Sequence, residues 1–283
     1  MILETKNICN RLQNEIVALS EGGKKPPLLC CVGFSEDGST LSYFRSIERT
    51  AEKTKVIVRK EILKDVSIHD AVSFIETLNQ DNDIDGIIIS RPIPLPLQKK
   101  GIRNIINPIK DVDCITDKNL GRLVTGDVIY TPPTPGAVIE IIKEFNLETA
   151  GRNVVILGRS DVVGKPLALL LLKKGVDATV TVCHSKTKNL ASYTRTADIL
   201  IIAVGSPQFL KADMVRPGTT VIDVGINVKD GRVVGDVDFE DMRRVAGMIT
   251  PTPGGVGPVT IYILLLNVAK AAKRSHGFHR LEK

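Results

Sequence analysis

The sequence predicts an α/β protein of two domains, the second built on a doubly wound parallel sheet. Its 283 residues suffice for two modest domains of this class. Four apolar strand-like runs, VVILG, ATVTVC, DILIIAV and TTVIDVG, alternate with helical or loop segments, and each ends at a polar or glycine-rich turn. The stretch before them, up to about TPPTPG, alternates helical and strand patterns of its own.

In chain order, Ile8, Leu12, Ile16 and Leu19 recur at helical spacing, and PLLCCVG reads as a short buried strand. Ser67 followed by HDAVSFIETL has the form of a capped amphipathic helix, with Asp70 in its first turn. IDGIIIS, residues 84–90, is a continuous β-branched run, as expected for a parallel strand covered on both faces. RPIPLP and TPPTPG read as rigid loops. A last helix, TIYILLLNVAKAAK from near Thr260, is expected to pack back on the first domain.

Hydrophobic residues make up 43% and charged residues 25%, the balance of a soluble globular chain. No apolar run approaches the ~20 uninterrupted residues of a membrane span. The N-terminal MILETKNICNRLQNEIV lacks the basic-then-apolar order of a signal peptide, so cytoplasm is the expectation. Net charge is +6, but aromatics are 4%, Trp is absent and no basic block alternates with stacking side chains. A weak positive field of this kind suits anionic small molecules better than nucleic acid. Cys9, Cys30, Cys31, Cys114 and Cys183 form no paired framework, and the three that sit in apolar stretches read as small buried hydrophobes. His276 and His279 could share a helical face, but their segment is polar and terminal, and no metal site is expected.

The strand VVILG runs into GRSDVVGKPLALLLLKKG, the order in which a glycine turn can hold a pyrophosphate at a helix N-terminus. Gly158 and Gly164 lack a middle glycine, so an ordinary β–α turn stays open beside the nucleotide reading. The second strand ends in Cys183-His184-Ser185-Lys186, without the carboxylate that binds an NAD ribose. Arg159, with Ser160 and Ser185, could meet a 2′-phosphate, which favours NADP. Lys186 reads equally well as a solvated surface charge.

GRSDVVGKP, ATVTVCHSKT, VIDVGIN, VGDVDF and TPTPGGVGPVT, preceded by PLLCCVG, DGIIISRPIP, KDVDC and PPTPGA, resemble in order and spacing the methylenetetrahydrofolate dehydrogenase/methenyltetrahydrofolate cyclohydrolase family. The resemblance spans nearly the whole chain. It implies a folate-binding α/β domain over 1–134, a Rossmann-like NADP-binding domain over 135–264 and a returning helix over 265–283. It also implies a cleft between the domains and a homodimer formed through the nucleotide domains. Tyr43 should stack on folate and Asp113 should hydrogen-bond the pterin, with Gly255 and Pro258 also at the substrate. Thr134, Gly158, Arg159, Ser160, Gly164, Ser185, Ile226 and Gly257 to Thr260 should contact the cofactor. Each has a plainer alternative: Asp113 could merely cap a turn, and Gly254 and Gly255 could merely allow positive φ.

The chain also departs from that pattern. The family places a lysine four residues after the tyrosine, one helical turn on and on the same face; here that position is Ile47. Arg45 and Arg49 lie about 200° away around the helix. The glutamine that supports the family's lysine is Ser90, and the leucine after it is Arg91, a poor proton carrier. Smaller departures are Cys114, Ala137 and Lys55, each where the family has glycine. Hydride removal from the methylene bridge needs alignment and no proton loss, whereas opening the methenyl product needs general acid–base work. The expectation is therefore a surviving dehydrogenase and a lost cyclohydrolase. Three alternatives compete with it: a complete bifunctional enzyme, an idle folate or nucleotide binder, and another two-domain dehydrogenase acting on an amino or hydroxy acid.

Overall fold

The computed structural model describes residues 1–277 apart from 22 and 24, without the side chains of 276 and 277. The His276 and His279 side chains therefore lie outside the described residues, among which no cluster of three metal-ligating side chains occurs. The chain divides into two compact units, Met1–Cys9 with Thr134–Thr260, and Asn10–Pro133 with the chain from Ile261 onward.

The 10–133 unit carries most of α1 (Lys6–Glu21), then β1 (Leu28–Gly33), α2 (Gly38–Ala51), β2 (Ile57–Ile62), α3 (Ile68–Gln80), β3 (Gly86–Ile89), α4 (Leu95–Lys100) and α5 (Asp117–Thr125). Its three-stranded sheet is parallel, in the order β2-β1-β3. The strand expected within residues 84–90 is β3, buried at all four positions. The α1 stripe buries Ile8, Leu12 and Ile16 almost completely, about 2 kcal/mol for each side chain removed from water. Ser67 caps α3 by accepting from the Asp70 N–H at 3.1 Å.

The 134–260 unit contains α6 (Pro133–Glu144), β4 (Asn153–Leu157), α7 (Gly164–Leu171), β5 (Thr179–Cys183), α8 (Leu190–Thr194), β6 (Ile199–Ile202), β7 (Thr220–Asp223), β8 (Asn227–Lys229), β9 (Arg232–Val234), α9 (Phe239–Met242) and β10 (Met248–Ile249). The strands β10-β7-β6-β4-β5 form one parallel sheet, while β8 and β9 make a separate antiparallel hairpin. Renumbered along the unit, this is the doubly wound order 2-1-3-4-5, whose topological switch point lies between β4 and β6. The edge strand β5 alternates Thr and Val, whereas the interior β6 is apolar and buried throughout.

The last helix, α10 (Val256–Gly277), starts four residues before Thr260, and from Ile261 it belongs to the 10–133 unit. There the Asn267 amide donates to the carbonyls of Val112 and Thr131, both at 2.8 Å. Its Val256–Ser275 stretch is long and apolar enough to cross a membrane, with 67% of the apolar window buried within the protein. At the other terminus, residues 1–9, which the sequence places in the first domain, make their compact contacts with the 134–260 unit. Ile2 bridges Ile249, and the Leu3 N–H donates to the Ile249 carbonyl at 2.8 Å.

Two of the three positions where the chain departs from glycine have left-handed backbone, Lys55 at φ 61° and Cys114 at φ 57°. A side chain there crowds the following carbonyl. The exposed Lys55–Glu21 ion pair at 2.6 Å offsets little of that cost. Lys55→Gly is therefore expected to stabilise the protein by about 0.5–1 kcal/mol in urea unfolding. A loss of stability would mean the lysine contributes through contacts other than the ion pair. Ala137 is fully buried in α6.

Candidate functional site

Four of the expected residues lie in the 10–133 unit: Tyr43 and Ile47 on α2, Ser90 directly after β3, and Asp113 ahead of α5. Helix α2 begins at Asp37, whose carboxylate accepts from the Ser39 and Thr40 N–H groups at 2.9 Å each. Thr40, Phe44, Ile47 and Ala51 form its buried stripe. Tyr43 is half-buried beside that stripe. Its phenol is pushed above the ordinary range by burial first, then by Asp113 and by Cys31 of β1. The structure thus brings Tyr43 and Asp113 into one electrostatic neighbourhood. Ile47, one turn beyond Tyr43, is fully buried.

KDVDC contains two aspartates, and the fold gives them different tasks. Asp111 is fully buried and accepts from the Ile115 and Thr116 N–H groups at 3.0 and 2.9 Å, the Thr116 hydroxyl at 2.7 Å and the Asn119 amide at 2.9 Å. It caps the turn into α5. Asp113, for which turn-capping was the plainer alternative, receives no hydrogen bond from the described residues. Its carboxyl is pushed up to about 7, by burial first and by Asp111 second, with Arg91 pulling the other way. A half-buried carboxyl without donors, two residues from a fully satisfied one, is suited to a ligand that brings its own N–H groups.

Ser90 follows β3 and is 4% exposed, and its hydroxyl is a buried side-chain polar group with no partner among the described residues. A Cβ at Gly33 of β1 would lie 3.2 Å from the Thr40 methyl and 3.3 Å from the Ser90 oxygen, which locates this hydroxyl under the start of α2. Arg91 is exposed. Arg45 and Arg49 instead line a separate hollow of ≈450 Å³ with Glu48, Glu52, Val56 and Val58.

The nucleotide candidates lie in the 134–260 unit, at its switch point. Gly158 leaves β4 at φ 122°, and a Cβ there would run into the Ala203 carbonyl at the end of β6. A Cβ at Gly164 would strike the Gly158 carbonyl, so the two glycines pack on each other across the six-residue spacing. That close approach is the helix–strand packing which a glycine at the helix start permits. Helix α7 starts at Gly164 without a side-chain cap; the Lys165 N–H donates to the Ser160 carbonyl at 3.1 Å and Pro166 has none, which leaves the Gly164 N–H for an anion. Ser160 accepts from the Val163 N–H at 3.1 Å and so shapes the turn itself. The Gly158 N–H donates to the Cys183 carbonyl at 2.9 Å, which places the Arg159 turn beside the segment carrying Ser185. Arg159, Ser185 and Lys186 are exposed, and no carboxylate ends β5. These residues fit a phosphorylated dinucleotide.

Ile226 is 64% exposed, and its side chain would lie 3.2 Å from a Cβ at Gly257. The Thr260 hydroxyl is used within its own helix, donating to the Val256 carbonyl at 3.1 Å. Gly255 is buried and Pro258 exposed, both in the 134–260 unit, while Gly254 does take positive φ, 101°. Thr134 is half-buried in the first turn of α6. Two buried aspartates, Asp223 and Asp236, escaped the residue-by-residue reading. Their motifs are visible in the sequence, but their partners lie many residues away.

The family model for the tetrahydrofolate dehydrogenase/cyclohydrolase catalytic domain matches residues 3–113, and that for its NAD(P)-binding domain matches residues 132–276. A bifunctional protein FolD from Dictyoglomus turgidum is 41% identical over 278 residues, covering 97% of this chain and 98% of its own. One from Halalkalibacterium halodurans is 43% identical over 265 residues, covering 93% and 94%. Among solved structures, the bifunctional 5,10-methylenetetrahydrofolate dehydrogenase/cyclohydrolase from Thermoplasma acidophilum matches with a TM-score of 0.90 at 37% identity, covering 98% of this chain and all of that one. The Trypanosoma brucei enzyme, solved with NADP and an inhibitor, matches with a TM-score of 0.90 at 32% identity, covering 97% and 98%.

Proposed function

The chain belongs to the tetrahydrofolate dehydrogenase/cyclohydrolase family, and we propose that it oxidises 5,10-methylenetetrahydrofolate with NADP while hydrolysing the methenyl product little or not at all. One observation carries the second half: a fully buried isoleucine, Ile47, stands one turn after Tyr43, at the position where the family resemblance implies a proton-carrying lysine. The nucleotide turn, by contrast, keeps its paired glycines, uncapped helix and unopposed arginine.

NADP, when bound, supplies a nicotinamide ring that accepts the hydride. The residues of this chain bind and align. In this reading Asp113 accepts hydrogen bonds from the pterin and Tyr43 packs on the folate ring system. Gly158 and Gly164 let the pyrophosphate approach the backbone, and Arg159 with Ser185 meets the 2′-phosphate. Loss of hydride leaves a cation shared by two folate nitrogens, so no protein base is needed. Opening that cation requires water to attack and protons to move, and Ile47 can do neither. The resemblance further implies a homodimer formed through the nucleotide domains.

The test mixes purified protein with methylenetetrahydrofolate and NADP and follows methenyltetrahydrofolate and reduced cofactor at separate wavelengths. Methenyl product should accumulate in step with reduced cofactor. Rapid disappearance of added methenyltetrahydrofolate, beyond a heat-killed control, would show that another group has taken over hydrolysis. The cofactor assignment has its own check. Arg159→Ala should weaken NADP about 10- to 100-fold, the size of a lost charge-assisted contact, and NAD far less. Equal weakening in separate titrations would mean the guanidinium does not reach the phosphate.

A further inference from the structure

The proposed chemistry leaves two buried aspartates unused, Asp223 at 3% exposure and Asp236 at 0%. They hold each other's surroundings. Asp223, the last residue of β7, accepts from the Gly225 and Asp236 N–H groups at 2.9 and 3.1 Å through one oxygen, and from Val237 at 3.0 Å through the other. Asp236 accepts from the Val204 and Gly205 N–H groups at 2.7 and 2.9 Å through one oxygen. Its other oxygen takes the Ser206 N–H at 2.9 Å and the Asn227 amide at 2.8 Å. The two aspartates interlock with glycines from each other's segment. A Cβ at Gly225 would collide with the Asp236 carboxyl, and one at Gly235 with the Asp223 carboxyl.

Three loops meet at this clasp: residues 203–206 leaving β6, residues 224–227 leaving β7, and the return from β9. The first two lie at the carboxyl ends of sheet strands, where doubly wound proteins bind ligands. The 203–206 loop also includes Ala203, whose carbonyl abuts Gly158 of the nucleotide turn. Three successive N–H groups converging on one carboxylate make a ring of donors that would otherwise attract a phosphate. Here the chain's own Asp236 fills it.

We propose that Asp236, supported by Asp223, is a positioning residue for the nucleotide. It fixes the 203–206 and 224–227 loops as walls of the site and, by occupying their donors itself, leaves the β4–α7 turn to the cofactor's phosphates. The proposal rests on the NADP reading above. Asp223 acts one step further out, holding the backbone N–H of Asp236 itself.

NADPH fluorescence titration separates the two ideas. A parent protein that binds no NADPH sinks the cofactor assignment before any variant is made. With binding established, Asp236→Asn, which keeps one acceptor oxygen, should raise the NADPH dissociation constant about ten-fold and leave the methylenetetrahydrofolate KM within about two-fold. Asp236→Ala should bind more weakly still. Formate, at the same ionic strength as a chloride control, should restore part of its NADPH affinity by refilling the donor ring. Amide exchange at 204–206 should be slow in the parent and fast in both variants. Parent-like NADPH affinity in a folded Asp236→Asn, or equal weakening of NADPH and folate, would overturn the proposal. Should neither Asp236 variant fold, Asn227→Ala removes a single bond from a half-buried side chain and should weaken NADPH about three-fold with folate unchanged. Unchanged NADPH affinity in that variant would overturn it equally.

Discussion

Replacing Asp113 with asparagine is expected to raise the methylenetetrahydrofolate requirement about 100-fold, the scale of losing a charge-assisted recognition contact, while making the folded protein more stable at pH 8. Both effects have one origin. The Asp113 carboxyl receives no hydrogen bond from the described residues, and burial with the neighbouring Asp111 pushes it up to about 7 from an ordinary 3.8. A folded-state pKa raised in this way favours the native state below pH ~4, and the advantage is lost as pH rises through ~7. Asparagine carries no charge to desolvate, so its curve lacks that loss. The stability gap between variant and parent should open between pH ~4 and ~7 and stay flat above, reaching on the order of 2 kcal/mol after allowing for partial exposure. NADPH binding should be unchanged. Denaturant midpoints at pH 4.5 and 8, with folate saturation curves, check both halves. A variant less stable than the parent at pH 8 would show that Asp113 is held by the protein rather than kept for a ligand.

The elements that could be foreseen are those whose pattern is local. The 84–90 run, the Ser67 cap with Asp70 three residues on, and the strands of the doubly wound sheet all carry their signal within ten residues. What escaped is long-range or short. Strand β10 is two residues long, and Ile2 and Leu3 join the 134–260 unit through Ile249, too few residues for any periodicity to register. The hairpin β8–β9 has three residues in each strand. At the candidate site, the close-packed turn between Gly158 and Gly164 was legible because strand, turn and helix adjoin in sequence. The division of labour between Asp111 and Asp113 was not, because two aspartates separated by a valine look alike until the α5 turn closes on one of them. The clasp is a stronger case, since Asp236 takes its three N–H donors from residues 30 to 32 positions away.

Converting Ile47 to lysine together with Ser90 to glutamine is expected to raise hydrolysis of methenyltetrahydrofolate well above the parent's, and to do so more than additively. The single change Ile47→Lys puts an ammonium in place of a fully buried side chain on the stripe that holds α2 to its sheet. Losing that packing and desolvating a charge should cost about 2–4 kcal/mol. A lysine so placed also has its pKa lowered, which suits proton transfer near neutral pH only if it stays folded and oriented. Ser90→Gln alone offers a longer polar side chain where the serine hydroxyl lacks a partner among the described residues, and brings no group able to carry a proton. Together the two supply an ammonium and an amide to orient it, in the pairing that the family resemblance implies. The double variant should therefore recover part of the stability lost by Ile47→Lys while gaining hydrolysis that neither single change shows, a coupling of about 1–2 kcal/mol in each measurement. Hydride transfer should change little across the set, because it needs alignment and no proton carrier. Purely additive stabilities, with no hydrolysis in the double variant, would mean that Ile47 and Ser90 do not face a common site.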